Sequence, residues 1–570
     1  MIARVLPDVP AIERAFDYLV PEPLRDQVRV GTIVRVELHG RRVRGWVIEI
    51  PDEPEPGVDP KPILRVSSQG PPAEVVELAG WAAWRWAGRP QHLLRAASPP
   101  RAVTWPAPAF EPVHRDPAAP TLVRLPPTAD RLPLVADAVA AGPAIVVVPA
   151  VDLAVRLARR LRREGHTVAL IAGDVRADDW ALAQTGTASV VGTRVAVWAP
   201  VPAVALTSVV VLDEHDEALQ SEQTPTWHAR DVAIERARRA GVPCTLASPV
   251  PTLEALAVAT LAPTNAAKER AGWPLVDVVD QREGDPVRAS LLSDRLAAAV
   301  HSGARVVCVL NRLGRSRLLA CVSCGTVAAC ERCGAAVAQV DPGQLRCRRC
   351  ATERPVVCLQ CGGGRMKNLR AGVTRVREEL AALAGEDVAE VTAADGQPTT
   401  RVSVGTEAVL HRLAAGSVDV AAVLDLDQEL LAPRFRAAEH ALALLARAAR
   451  AVGPRNGGGR LLLQTRLPDH PVVRAVVLGD PSVVAEAELP RRRELRFPPA
   501  AALAAVSGAV AAAWVAAAGE HPMPSGVELL GPADGVWLVR APDHASLADF
   551  LASVPRPPGR LRIEVDPPRL

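Results

Sequence analysis

Residues 143–173 read PAIVVVPAVDLAVRLARRLRREGHTVALIAG, and their reading decides the fold class. An unbroken apolar run is followed by apolar positions recurring three and four apart, then by Gly165 and a second apolar run. That is strand, amphipathic helix, strand, with Asp152 read as the helix cap and Gly165 as its stop. Strands with no polar face are covered on both sides, so the pattern predicts a parallel sheet with helical crossovers. Working outward, SVVGTRVAVWAP (189–200) and TSVVVLDEHDE (207–217) continue the series. A second unit of the same kind begins near RVVCVLNR (305–312), is interrupted, and resumes with VSVGTEAVL (402–410) and VDVAAVLDLD (418–427).

The interruption holds eight of the ten cysteines, as four CxxC pairs within 41 residues: Cys321/Cys324, Cys330/Cys333, Cys347/Cys350 and Cys358/Cys361. Each pair presents two thiolates to one tetrahedral ion, so four pairs predict two closed Cys₄ zinc centres with no open position for catalysis. Disulfides are disfavoured, because a long chain beginning MIARVLPDVP shows no apolar signal core and reads as cytoplasmic. Four pairs allow three pairings. Thirteen residues separate Cys333 from Cys347 and suit a hairpin, whereas the five between Cys324 and Cys330 are short for folding two pairs onto one ion. The loop lengths therefore favour nesting, with Cys330, Cys333, Cys347 and Cys350 on one zinc and Cys321, Cys324, Cys358 and Cys361 on the other. Cys244 and Cys308 lie in apolar stretches and read as core.

At 570 residues the chain is long enough for several domains. We divide it into an N-terminal β-rich domain (1–96), a linker (97–128) carrying nine prolines, a first lobe (129–263), a second lobe (264–470) with the zinc insertion (319–363), and a C-terminal domain (471–570) containing the basic stretch PRRRELRFPP. The net charge of +3 does not identify a nucleic-acid partner. Of 66 basic residues only Lys61, Lys268 and Lys367 are lysine, so the basic surface is guanidinium. The uncharged run Ala500–Ala518 is mostly alanine and too weakly apolar for a membrane span, and no membrane partner is expected. Trp81, Trp84 and Trp86 stand at helical spacing in an alanine-rich run and read as core rather than as base-stacking platforms.

Two α/β lobes with LDEHD at a strand end suggest a nucleic-acid motor, in which an Asp-Glu pair holds Mg²⁺ and orients water. Asp213 and Glu214 stand in that place. Such a motor also needs the phosphate cradle GxxxxGK[ST], and none exists: the segment LVRLPPTADRLPLVADAVAAG (122–142), where it belongs, lacks both the glycine-rich loop and the lysine. Arg447 and Arg450 in LARAARAVG could reach a nucleotide as fingers, but have no cradle to reach toward. Turnover of ATP with Mg²⁺ is therefore not expected, and these four residues read as vestigial.

Nearly the whole chain resembles one family, the PriA replication-restart proteins of the superfamily 2 DNA helicases. FDYLVP (16–21) and GTIVRVELHGRRVRGWV (31–47) resemble its 3′-end DNA-binding domain. WHARD (227–231), ASPVPTLE (247–254), LNRLGRS (310–316), the eight cysteines, LDLDQELLAPRFRAAEH (424–440), LLLQT (461–465) and ELRFPP (494–499) resemble its later motifs. The departures fall on ATP chemistry. Beyond the missing cradle, Leu212 replaces the first aspartate of DEEH, GTQMLAKGH has become GTEAVLHRL, and GRAGR has become ARAAR. The chain is thus similar to the degenerate PriA of high-GC Gram-positive bacteria.

The resemblance implies two RecA-like helicase lobes with an inserted two-zinc module, an N-terminal β-rich DNA-binding domain and an α+β C-terminal domain. It implies nested zinc pairing, and Asp17 and Lys61 in a pocket for a 3′ end. The implied partners are DNA forks and D-loops, single-stranded DNA-binding protein and the replicative helicase-loading machinery. A working ATP-dependent 3′–5′ helicase is the alternative that membership alone would favour.

Overall fold

The computed structural model describes residues 1–570 apart from 10–11, 58, 104–114, 283–290, 311–317, 369–372 and 393–394. LNRLGRS, except Leu310, and part of the proline-rich stretch lie outside the described residues.

The apolar runs of the first lobe form a seven-stranded sheet in the order Thr260–Leu261, Thr121–Arg124, Cys244–Ser248, Ser208–Leu212, Ala144–Val147, Ser189–Gly192, Val168–Ile171. Every pairing in it is parallel. Thr121–Arg124 falls inside the stretch read as linker. It is extended, yet it pairs with Cys244–Ser248 and is a strand of the sheet. The helix Val151–Arg163 buries Ala154, Leu157, Ala158 and Leu161 against this sheet. Its cap is Ala150, so Asp152 is not the cap. Asp152 stands in the first turn instead, where its charge meets the positive end of the helix dipole. Gly165 follows the helix at φ +93°, a conformation that costs glycine nothing.

The second lobe is a six-stranded parallel sheet ordered Leu275–Asp280, Arg460–Thr465, Val420–Val423, Val306–Val309, Val402–Gly405, Ala389–Val391. The cysteine-rich module hangs from it on an antiparallel stem, Leu319–Cys321 with Met366–Asn368. A three-stranded hairpin sheet, Val337–Asp341, Gln344–Cys347 and Glu353–Pro355, fills the module. The helices Pro471–Leu478 and Ser482–Leu495 contribute Val472, Val473, Val476 and Val484 to the second lobe's core. That core therefore runs past residue 471, where the sequence placed the boundary, and the C-terminal antiparallel sheet begins only at Ala502. Ala500–Ala518 supplies its strand Ala502–Ser507 and most of the helix Ala511–Glu520. Among the described residues, no helix is long and apolar enough to cross a membrane.

The N-terminal domain is a five-stranded antiparallel sheet ordered Phe16–Leu19, Ile2–Pro7, Arg41–Glu49, Ile33–Leu38, Arg65–Ser68. The helix Ala73–Arg85 ties it to the rest. Val75, Leu78 and the following Trp86 enter a core shared with the first sheet and the C-terminal strands. Each such buried side chain stabilises the junction by roughly 1.5–3 kcal/mol. Trp81 packs edge-on against Trp86 and both belong to the core, whereas Trp84 is half-buried and its Nε1 donates to Asp549 Oδ1 at 2.8 Å.

Candidate functional sites: thiol clusters, inter-lobe cleft and N-terminal pocket

Two groups of four thiols, Cys321, Cys324, Cys358, Cys361 and Cys330, Cys333, Cys347, Cys350, each converge with all sulfurs within 4.8 Å of one another. This is the nested arrangement. Sγ–Sγ separations are 3.6 Å for Cys321–Cys361, Cys324–Cys358 and Cys330–Cys350, and 3.5 Å for Cys333–Cys347. A disulfide is about 2.05 Å long. Four sulfurs held about 2.3 Å from a tetrahedral ion stand roughly 3.8 Å apart, so the donor set and spacing fit a metal.

The local cause is a repeated turn. The amide after each second cysteine donates to the carbonyl of the first: Gly325 to Cys321 at 3.0 Å, Gly334 to Cys330 at 2.8 Å, Ala351 to Cys347 at 3.0 Å and Gly362 to Cys358 at 2.9 Å. All four donors have positive φ, +73°, +72°, +57° and +74° in that order. Cys244 and Cys308 lie buried elsewhere, their thiols pushed up to about 12 by burial, and are inert core.

In the cleft, the strand Ser208–Leu212 delivers Asp213 in a left-handed backbone conformation, φ +49°. Its carboxylate is occupied on both oxygens: Arg131 Nη2 donates to Oδ1 at 2.9 Å and Arg450 Nη1 to Oδ2 at 3.3 Å. Against the cost of burial, these two arginines hold the carboxyl well below its usual range. Glu214 is fully buried and accepts from Thr252 N at 2.8 Å, Thr252 Oγ1 at 2.9 Å and Arg230 Nη1 at 3.4 Å. Arg447 donates to Asp216 Oδ2 at 2.8 Å and to Glu407. The structure thus brings Asp213 and Arg450 together, while Glu214 and Arg447 each have other partners.

Arg131 is the residue that sequence reasoning missed. It lies between the strand Thr121–Arg124 and the helix Leu132–Ala140, where a strand–loop–helix cradle would present amide hydrogens to phosphate. Here carbonyls face inward instead. Arg131 Nη1 donates to the carbonyls of Pro127 at 3.0 Å and Ala129 at 2.5 Å. The Leu132 amide at the helix start is taken by Asp130 Oδ1 at 3.0 Å. A carboxylate and a guanidinium therefore occupy the loop between this strand and helix. The available signal was an Asp-Arg pair directly before a helix that needs a glycine-rich entry.

In the N-terminal domain, Asp17 lies opposite Arg4 in the antiparallel register. Arg4 grips its carboxylate with Nε at 2.9 Å and Nη2 at 3.2 Å, and the Glu55 amide donates at 2.8 Å. The Arg4 hydrogen bonds, outweighing burial, lower the Asp17 carboxyl below its ordinary value. The side chain is only 1% exposed. Lys61 is exposed and pairs with Glu37 at 2.7 Å, and its backbone carbonyl accepts from the Leu19 amide at 2.9 Å. Asp17 and Lys61 thus stand at one edge of the sheet with different partners. Arg4 was not anticipated, since only strand register pairs it with Asp17.

Residues 4–99 match the family model described as the 3′ DNA-binding domain of PriA. Over 613 residues the chain is 32% identical to the "Probable replication restart protein PriA" of Mycobacterium tuberculosis strain H37Rv, covering 94% of this chain and 91% of that protein. The chain belongs to the PriA family. It is 31% identical to the Mycobacterium leprae PriA, over 97% of this chain and 94% of that one. With Bacillus subtilis PriA it shares 29% identity over 64% of this chain, spanning 49% of that relative. The PriA domain match includes both Asp17 and Lys61. Among the described residues the chain has two parallel-sheet lobes, the second carrying a cysteine-rich insertion.

Proposed function

We propose that this PriA-family chain binds replication forks and D-loops in the cytoplasm, holds two structural Zn²⁺ ions, and acts in restart without unwinding DNA through ATP turnover. The single observation behind the last clause is Arg131. Phosphoryl transfer depends on positioned cations and amides around the phosphates, and here the cradle's place holds a guanidinium already paired with Asp213. Zinc is the metal that best suits eight thiolates in two closed tetrahedral groups. Each ion would stabilise the module's fold and present no open position.

The 3′ end is read, in this proposal, by Asp17. Kept ionised by Arg4, its carboxylate is acceptor-only, and Oδ1 takes a single bond, from Arg4 Nε. A terminal 3′-hydroxyl donates where an internal phosphodiester does not. Because the Asp17 side chain is only 1% exposed, reaching it requires the residues that cover it to move aside. Lys61 exchanges Glu37 for phosphate at little cost, because the ion pair is exposed and solvent-screened. By kinship, the recruited partners are single-stranded DNA-binding protein and the helicase-loading machinery.

One experiment tests both halves: binding of forks bearing a 3′-hydroxyl or a 3′-phosphate at the branch, with ATP turnover followed alongside. Asp17→Asn and Asp17→Ala are expected to lose discrimination between the two ends while retaining salt-sensitive DNA affinity. Equal weakening for every DNA would reject the pocket. Turnover is expected to be absent with and without DNA, and DNA-stimulated hydrolysis abolished by Asp213→Asn would restore the motor.

A further inference from the structure

The helix Val151–Arg163 carries Arg156, Arg159, Arg160 and Arg163 at positions i, i+3, i+4 and i+7, so all four project from one face. The helix buries its apolar residues in the first lobe, and these four arginines are exposed. Among the described residues only one of them is matched by acids. Arg160 shares Asp130 and Glu164, each at 3.5 Å, and among the described residues Arg156, Arg159 and Arg163 meet no carboxylate within ion-pair distance. Elsewhere in this chain exposed arginines commonly pair, as Arg176 does with Asp178, Arg305 with Asp419 and Arg562 with Glu564. The arginines also rim a concavity of about 410 Å³ with Leu153 and Leu157 among its walls.

We infer that this arginine-lined groove is a second DNA contact, a seat for the sugar–phosphate backbone of one fork arm. It is separate from the end-reading pocket and rests on the proposal that the chain binds forks. From Arg156 to Arg163 the helix advances about 10 Å, and duplex DNA carries a phosphate every ~3.4 Å of axis on each strand, so two or three consecutive phosphates fall within reach. Guanidinium forks bind phosphate oxygens bidentately, and the leucine wall lowers the local dielectric and strengthens each contact. Backbone contacts of this type position DNA without reading sequence. An acidic peptide offers the same charge, but it lacks the regular phosphate spacing that an i to i+7 ladder matches.

The test is the salt dependence of fork binding by the full chain, comparing wild type with Arg156→Ala/Arg159→Ala/Arg163→Ala. Each lost phosphate contact lowers the slope of log K against log salt by about 0.9, so the triple variant should lose about 1.8–2.7 in slope. Its affinity should fall about 10-fold or more at low salt, equally for all sequences and for both 3′-end chemistries. A control removing the same charge elsewhere, Arg176→Ala/Arg305→Ala/Arg562→Ala, should change the slope by much less. Equal slopes for wild type and the groove variant, or equal losses in groove and control variants, would overturn the groove. Unchanged DNA binding with loss of poly-glutamate binding would assign it to an acidic protein instead and also overturn it. If wild type itself binds no fork, the proposed function falls, whereas intact end discrimination with no slope change removes only this inference.

Discussion

Three of the four cysteine turns close on glycine, and the third closes on Ala351 at φ +57°. An L-residue pays about 1–2 kcal/mol in that conformation, while glycine pays roughly 0.5–1 kcal/mol more in unfolded-state entropy. Ala351→Gly should therefore stabilise the metal-loaded chain by about 0.5–1 kcal/mol, seen as slower metal loss to a chelator. Faster loss would show that the Ala351 methyl group contributes packing that outweighs the strain. Single residues also mark where sequence reading stopped. Asp213 and Asp17 were legible as carboxylates in telling positions. Their partners Arg131 and Arg4 were not, because 82 and 13 residues of chain separate each pair and only the folded sheets bring them together.

Among elements, the pairing of the cysteine module was the most legible, because CxxC spacing encodes ligand geometry without help from the rest of the fold. The parallel strands were legible for a related reason, since a run such as AIVV has no polar face to leave in water. Boundaries were less so. Thr121–Arg124 hides among prolines and is a strand only because Cys244–Ser248 offers its edge, and the helices after residue 471 were separated from a core they share. The module's small cluster buries only Leu319, Val337 and Leu345 among larger aliphatic side chains, so a bound metal would supply much of its stability. Metal analysis should return about two Zn²⁺ per chain, and Cys330→Ser or Cys347→Ser should release one ion and expose the 319–363 segment to protease. The first lobe should keep its melting transition, because its core contains no residue of the module, whereas the second lobe takes Val327 and Ala336 from it and should melt lower. Near-zero metal with intact thiols would reject the zinc assignment.

Across the whole molecule, side chains join the two lobes through the cleft. Arg450 reaches Asp213 at 3.3 Å, Arg447 reaches Asp216 at 2.8 Å, Arg436 reaches Glu254 at 2.8 Å, and His440 Nε2 lies 3.2 Å from Glu217. Removing one partner of a buried pair strands the other charge and costs about 3–5 kcal/mol. Histidines at the same junction give this joint a pH dependence. Desolvation pushes His215 and His440 down to about 4, against the pull of Asp213 and Asp216 on the first and Glu217 on the second, with Arg131, Arg447, Arg434, Arg436 and Arg569 opposing protonation. A lowered histidine pKa means the folded state binds fewer protons than the unfolded one between about pH 6.5 and 4. Stability is therefore full above pH 6.5 and falls as pH drops toward 4, by up to about 3 kcal/mol for each histidine. Asp213 and Glu254 are held low by their arginines and stay ionised through this range, so the Arg450–Asp213 and Arg436–Glu254 pairs persist. The melting temperature should decline across that window, and His440→Gln should flatten the decline without changing stability at pH 8 by more than about 1 kcal/mol. Addition of ATP with Mg²⁺ should leave both the melting temperature and the inter-lobe distance, followed by fluorescence transfer between the lobes, unchanged. A nucleotide-dependent closure would mean that Arg131 and Arg450 release Asp213, and that the cleft still works as a binding site.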